Sequence, residues 1–228
     1  MTVLHLADET EAADLAAFLS RLLRYDRGAA VRLQAAGTAL AVFGRPPSFE
    51  VLAVRAVRLA KPYEDGLDVT LDVTVSAGEL LESIDERAAT AAVPAAVTGP
   101  PWAGVLPPRG GWRPEPGLPA ADALRTTVAE SVAEFRSRTQ ELTPERRTRA
   151  ELDRIGRDIW SREVGDTRLP VRAVHAAQSL GFLRPGAGAD GTGLYSCGAW
   201  LRLRTPYGSV AVRRTGPGAL GVLGVSVR

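Results

Sequence analysis

Six side chains near the end of the chain carry the chemistry most worth following: Arg172, His175 and Gln178 in one segment, and Arg202, Arg204 and Arg213 in another. Wound as a helix at about 100° per residue, the first three and Ser179 fall within an arc of roughly 120°. Ala173, Val174, Ala177 and Leu180 lie opposite them. Arg, His, Gln and Ser side chains can all donate hydrogen bonds to phosphates or base edges. In the second segment, Arg202 and Arg204 alternate with apolar residues on the side that also carries Trp200, and Arg213 follows on the next run. Arginines grouped in this way bind a polyanion by releasing its counterions, whatever its sequence.

Other reactive types stand alone. The string from Gly186 to Gly193 contains GxGxxG, but a helix precedes it and strand-like residues follow, the reverse of a dinucleotide loop. It reads as a loop. His5 and His175 are the two histidines and Cys197 the one cysteine. They show no zinc-type spacing and no nucleophile–base pair. Cys197 reads as a buried, inert thiol. Asp68 and Asp72 lie on the polar side of an alternating strand, and Glu82, Asp85 and Glu86 on a solvated helix face. These residues point away from an enzyme and call for no metal or cofactor.

Charge supports attention to the C-terminal end. Residues 1–119 carry 11 Lys/Arg against 15 Asp/Glu, whereas residues 120–228 carry 17 Arg against 11 Asp/Glu. From Arg168 onward there are eight arginines and one acid, Asp190. A basic end segment is the footprint of a protein that meets polyanions. Lys61 is the single lysine among 28 basic residues, and Ala and Gly are abundant. In composition the chain resembles actinobacterial proteins, a resemblance that carries over no site. No run approaches the ~18 apolar residues of a membrane span. The first residues lack a basic head and an apolar core, so the cytoplasm is the expected compartment.

The elements that must position these residues follow from periodicity. A short strand at 3–6 leads into a helix over 10–23, with Leu15, Phe18, Leu19, Leu22 and Leu23 at helical spacing. Strands are expected at 30–34, 38–43, 49–59 and 67–76, the last in strict alternation. Ser76 to Glu79 then form a capping box that opens a second helix.

Residues 88–120 are rich in Pro and Gly and hold Trp102 and Trp112. They form either a recognition segment or lid, or a connector whose tryptophans pin it to a neighbouring surface. A long helix over 121–141, a second beginning at Thr143-Pro144 and a third from Leu169-Pro170 to Leu180 complete the helical part. A hairpin over 200–214 turns at Pro206-Tyr207-Gly208, and one more strand is expected over 219–227.

The expected fold class is α+β. Its parts are an α+β unit over 1–87 with an N-terminal antiparallel sheet and flanking helices, a connector over 88–120, and a helical unit closed by a basic hairpin over 121–228. Three helices followed by a hairpin is the order of a winged helix. The function this suggests is non-catalytic binding of double-stranded DNA, with Arg172, His175 and Gln178 on bases and Arg202, Arg204 and Arg213 on phosphates. The alternative is a protein-interaction or scaffold module that pairs with itself through a sheet edge or the long helix.

Overall fold

The computed structural model describes residues 2–61, 71–185 and 191–214. The expected strand over 219–227, the first residues of the strand at 67–76 with Asp68, and most of the GxGxxG string lie outside them.

The first half begins with β1 (Val3–His5) and α1 (Glu9–Tyr25), whose start is capped by the Asp8 carboxylate accepting from the Glu11 N–H at 2.9 Å. β2 (Ala30–Ala36), β3 (Ala39–Gly44), β4 (Leu52–Arg58) and β5 (Asp72–Ser76) follow. The expected capping box forms: the Ser76 hydroxyl accepts from the Glu79 N–H at the start of α2 (Ala77–Glu82). Two short strands, β6 (Ile84–Asp85) and β7 (Thr90–Ala92), join β1 in a three-stranded sheet.

The second half starts with β8 (Arg113–Glu115), a strand inside the segment expected to lack regular structure. Next come α3 (Ala121–Gln140), α4 (Arg149–Trp160) and α5 (Val171–Ser179). Thr143-Pro144 does not open α4; it starts a single 3₁₀ turn, and Thr148 caps α4 five residues later. Proline at the first position suits either kind of turn, so the sequence signal could not separate them. Past α5, Gly181 takes a left-handed conformation (φ 76°) that ends the helix as expected. β9 (Gly193–Cys197), β10 (Trp200–Thr205) and β11 (Gly208–Arg213) close the described chain.

All these longer strands make one antiparallel sheet in the order β5-β2-β3-β4-β11-β10-β9-β8. The two halves meet at β4 and β11, where Leu52, Ala53 and Val54 pair with Ala211, Val210 and Ser209. Alternation then gives the sheet two faces. One face presents Leu33, Val42, Ala53, Val210 and Leu203 to α1, α3 and α5, and these residues share one buried core. The mixed α+β class expected from the sequence is the class of the structure.

Among the described residues the opposite face carries no α-helix, only the one-turn 3₁₀ helix Pro101–Gly104. Part of it is crossed by residues 97–112, here called the strap. Trp102 and Leu106 of the strap pack on Phe43, Leu52 and Val54 in a small second cluster. At its start the strap also closes the outer edge of β5, through a Val75–Ala96 bridge and a bond from the Val97 N–H to the Thr74 carbonyl.

Candidate nucleic-acid interface

On α5 the pattern read from the sequence holds for the core side: Ala173, Val174, Ala177 and Leu180 are buried. The other side is partly covered as well, by Trp160 of α4 and by a loop of the first half of the chain. His175 lies between the Trp160 ring, stacked at 4.8 Å between centroids, and the Phe49 ring, edge-on at 5.1 Å. Burial pushes its imidazole pKa down, because a charged ring loses hydration there. Arg172 faces Glu50 at 3.7 Å, and its Nε is buried without a hydrogen-bond partner among the described residues. The Gln178 side-chain oxygen is buried in the same condition. Arg172, His175 and Gln178 are thus brought together on one helix side, which Phe49, Glu50 and Trp160 cover in part, leaving all three residues half-buried.

The covering loop is itself unusual. Ser48 and Glu50 have φ of 72° and 53°, left-handed values that non-glycine residues seldom take. Between them Phe49 turns inward, 8% exposed, and meets both Tyr25 and His175.

The hairpin arginines fare differently. Register places Arg204 opposite Ser209, Arg202 opposite Ala211 and Arg213 opposite Trp200, so all three arginines project from the helix-free face of the sheet. Arg202 is half-buried; its Nε donates to the Ser209 hydroxyl at 2.9 Å, and its guanidinium sits over the Trp112 ring at 5.6 Å. Arg213 lies over the Trp200 ring at 5.7 Å. Such cation–π contacts hold a guanidinium in place while leaving its charge unneutralised. Burial, and then the nearby charge of Arg204, push the Arg202 pKa down. No carboxylate lies within 4.0 Å of Arg202, Arg204 or Arg213 among the described residues.

The same test separates these three from most other arginines of the second half. Glu134 and Asp158 hold Arg138 and Arg162 in a network linking α3 to α4, with contacts of 2.5 Å from Arg138 to Asp158 and from Arg162 to Glu134. Glu151 pairs with Arg154, and Asp122 with Arg125. The basic excess of the helical segment is therefore largely spent on its own acids. Arg136, Arg147, Arg157 and Arg168 of that segment have no carboxylate within 4.0 Å among the described residues, and on the sheet Arg202, Arg204 and Arg213 share that condition on a single face.

Trp112 and Trp102 act as pins. The Trp112 indole N–H donates to the Pro108 carbonyl at 2.9 Å, while its ring receives Arg202. Cys197 is half-buried rather than buried, with its thiol 3.5 Å from the Gly110 carbonyl at the strap. His5 is exposed on β1, far in the topology from His175. Among the described residues no group of three His, Cys, Asp or Glu could hold a metal ion. Asp72 is bound in bidentate fashion by Arg32, at 2.7 and 2.9 Å, which holds its carboxyl below the usual range.

A second ionic cluster was not foreseen. Arg55, on the core face of β4, is 6% exposed and donates to Glu11 at 3.0 Å, to Asp14 at 3.3 Å and to the Tyr207 carbonyl at 2.8 Å. Asp14 also accepts from Arg184 at 2.6 Å, and Arg184 covers the Tyr207 ring at 4.0 Å. The signal was present as one charged residue inside the apolar run Val51 to Val57. Its partners, 41 to 152 positions away in sequence, were not.

Among the described residues, no helix is long and apolar enough to cross a membrane. No curated protein and no solved structure matches the chain. Two family patterns do, side by side: residues 1–104 are similar to a family described as Domain of unknown function (DUF8010), and residues 107–217 to one described as Domain of unknown function (DUF8185).

Proposed function

We propose that this protein binds DNA without catalysing a reaction, through the helix-free face of the sheet at β10 and β11. Arg202, Arg204 and Arg213 contact phosphates there. The observation that carries this reading is their projection from one face without carboxylate partners among the described residues, whereas Arg138, Arg162, Arg172 and Arg184 elsewhere in the second half are acid-paired. Three helices leading into antiparallel strands follow the order of a winged helix, although β9 to β11 are here part of the eight-stranded sheet, and in this reading the β10–β11 hairpin makes the contact. Arg172, His175 and Gln178 keep packing roles, because Glu50, Phe49 and Trp160 already engage their side of α5.

The contact is of the backbone kind. Trp112 and Trp200 each have an arginine over the ring, so the aromatic residues serve first to orient charge. Guanidinium groups fixed in this way supply affinity that depends on salt far more than on base sequence.

Self-association through a sheet edge draws less support. The strap bonds to the outer side of β5, and β8 at the other end is three residues long and contains Pro114. Short, proline-bearing or covered edges resist strand addition.

Fluorescence anisotropy with a random-sequence DNA duplex at two salt concentrations tests the proposal. The double variant Arg204→Ala/Arg213→Ala is expected to bind at least tenfold more weakly. The slope of log K against log salt should flatten by about 2, roughly one unit per lost phosphate contact. Unchanged affinity and slope in that variant would overturn the reading.

A further inference from the structure

Beside the arginine face, the strap and the sheet enclose a groove of about 410 Å³. Its floor is made of small residues from three adjacent strands: Ala36, Ala39, Ala41 and Ala56, which pair across the sheet as Ala36–Ala39 and Ala41–Ala56. Phe43 and Val54 deepen it at one end. Pro107 and Pro108 of the strap form a wall. Proline has no N–H, so this wall offers the groove no backbone donor. A volume in the range of about 300–1,000 Å³, mostly apolar lining and a few convergent polar groups are the marks of a small-molecule site.

The charged groups of this lining, among the described residues, are of one sign. Arg109 and Arg202 line the groove, along with Gln34, and no Asp or Glu does among the described residues. Arg202 commits its Nε to Ser209, while its two terminal nitrogens have no hydrogen-bond partner among the described residues. Ser209 and Trp112 fix the direction of the head. Asp72, the carboxylate nearest in sequence to the lining residue Leu71, is already held by Arg32 and Gln34.

We propose that this groove binds a small amphiphilic anion, an apolar chain lying on the alanine floor with a carboxylate received by Arg202 and Arg109. An arginine fork receives a carboxylate through two parallel N–H···O bonds, and the surrounding apolar surface strengthens that pair. The anion would also relieve the crowding of positive charge between Arg202 and Arg204. The chain gains by leaving water for the alanines, Phe43 and Val54. Arg202 is shared with the proposed DNA contact, whereas Arg204 and Arg213 lie outside this site, so variants at those two positions distinguish the two proposals.

Calorimetric titration of the full chain with sodium dodecanoate, below its micelle-forming concentration, is the test, with dodecanol as the uncharged comparison. Saturable binding of dodecanoate is expected, at least tenfold tighter than dodecanol. Arg202→Ala should weaken it tenfold or more, and Ala56→Phe, which fills the floor from an exposed position, should abolish it. Ala39→Leu serves the same purpose if the first filling variant does not fold. Arg204→Ala/Arg213→Ala should leave dodecanoate binding intact, so failure of one proposal does not mask the other. Absence of saturable binding, equal binding of dodecanol, or binding untouched by a folded filling variant would each overturn the site.

Discussion

Arg55 sets the energetic terms at the seam between the halves. An arginine 6% exposed has lost most of its hydration; two carboxylates and one carbonyl compensate its terminal nitrogens, while its Nε has no partner among the described residues. Removing it would leave Glu11 and Asp14, 12% and 17% exposed, with excess negative charge. Because Arg58 and Arg184 also hold those acids, Arg55→Ala should cost about 3 kcal/mol, the low end for breaking a buried pair. Urea unfolding followed by circular dichroism measures it; a loss under 1 kcal/mol would show that the cluster is not energetically central. His175 provides a second residue-scale expectation. Its folded pKa lies below its unfolded value of about 6.5, so the unfolded chain takes up the proton first. The stability it contributes is complete above that value and is lost as pH falls toward the folded pKa. The midpoint of thermal unfolding should drop between about pH 7 and 5, and His175→Phe should flatten that part of the profile. A profile identical in both proteins would remove His175 as the cause.

At the scale of elements, legibility followed the range of the forces involved. α1, α2, α5, the β10–β11 hairpin and strands β2 to β5 were readable because their signals are local: a carboxylate or serine cap, a left-handed glycine, an alternation of apolar residues. β8 was missed because its strand character comes from pairing with β9 and not from its own residues, Arg113, Pro114 and Glu115. The side of α5 that looked free on a helical wheel is covered by Phe49 and Glu50, more than 120 positions earlier. A wheel shows which side is less apolar; it cannot show which distant loop closes over that side. The hairpin arginines were legible for the opposite reason. Strand alternation alone fixes their shared face; what it does not show is the strap, whose Trp112 meets Arg202 there. In the strap, Trp102 packs on Phe43 and Leu52, while Trp112 bonds within the strap to Pro108 and meets the sheet through Arg202.

For the molecule as a whole, the β4–β11 pairing determines what can exist separately. A fragment of residues 1–104 would keep α1, α2, the three-stranded sheet and the four strands β2 to β5 of the large sheet, but β4 would present an unpaired edge containing Leu52, Ala53 and Val54. Arg55 would lose the Tyr207 carbonyl, and Phe18 the stacked ring of Phe182. An exposed apolar edge seeks another strand. The fragment is expected to aggregate or remain unfolded when produced alone, and to become folded when produced together with residues 105–228. Light scattering and circular dichroism distinguish the outcomes; a monomeric, cooperatively folded 1–104 would show that the seam is dispensable.

The shared seam also constrains heredity. Two sequence patterns that adjoin in one chain look exchangeable, as if either could be grafted onto a different neighbour. Here the graft would have to bring a strand that fits beside Leu52 to Val54, a carbonyl placed as that of Tyr207 and a base placed as Arg184. Lineages in which the two regions part company must therefore have found another cover for that flank, and substitutions at Asp14 should be tolerated only when position 184 changes with them.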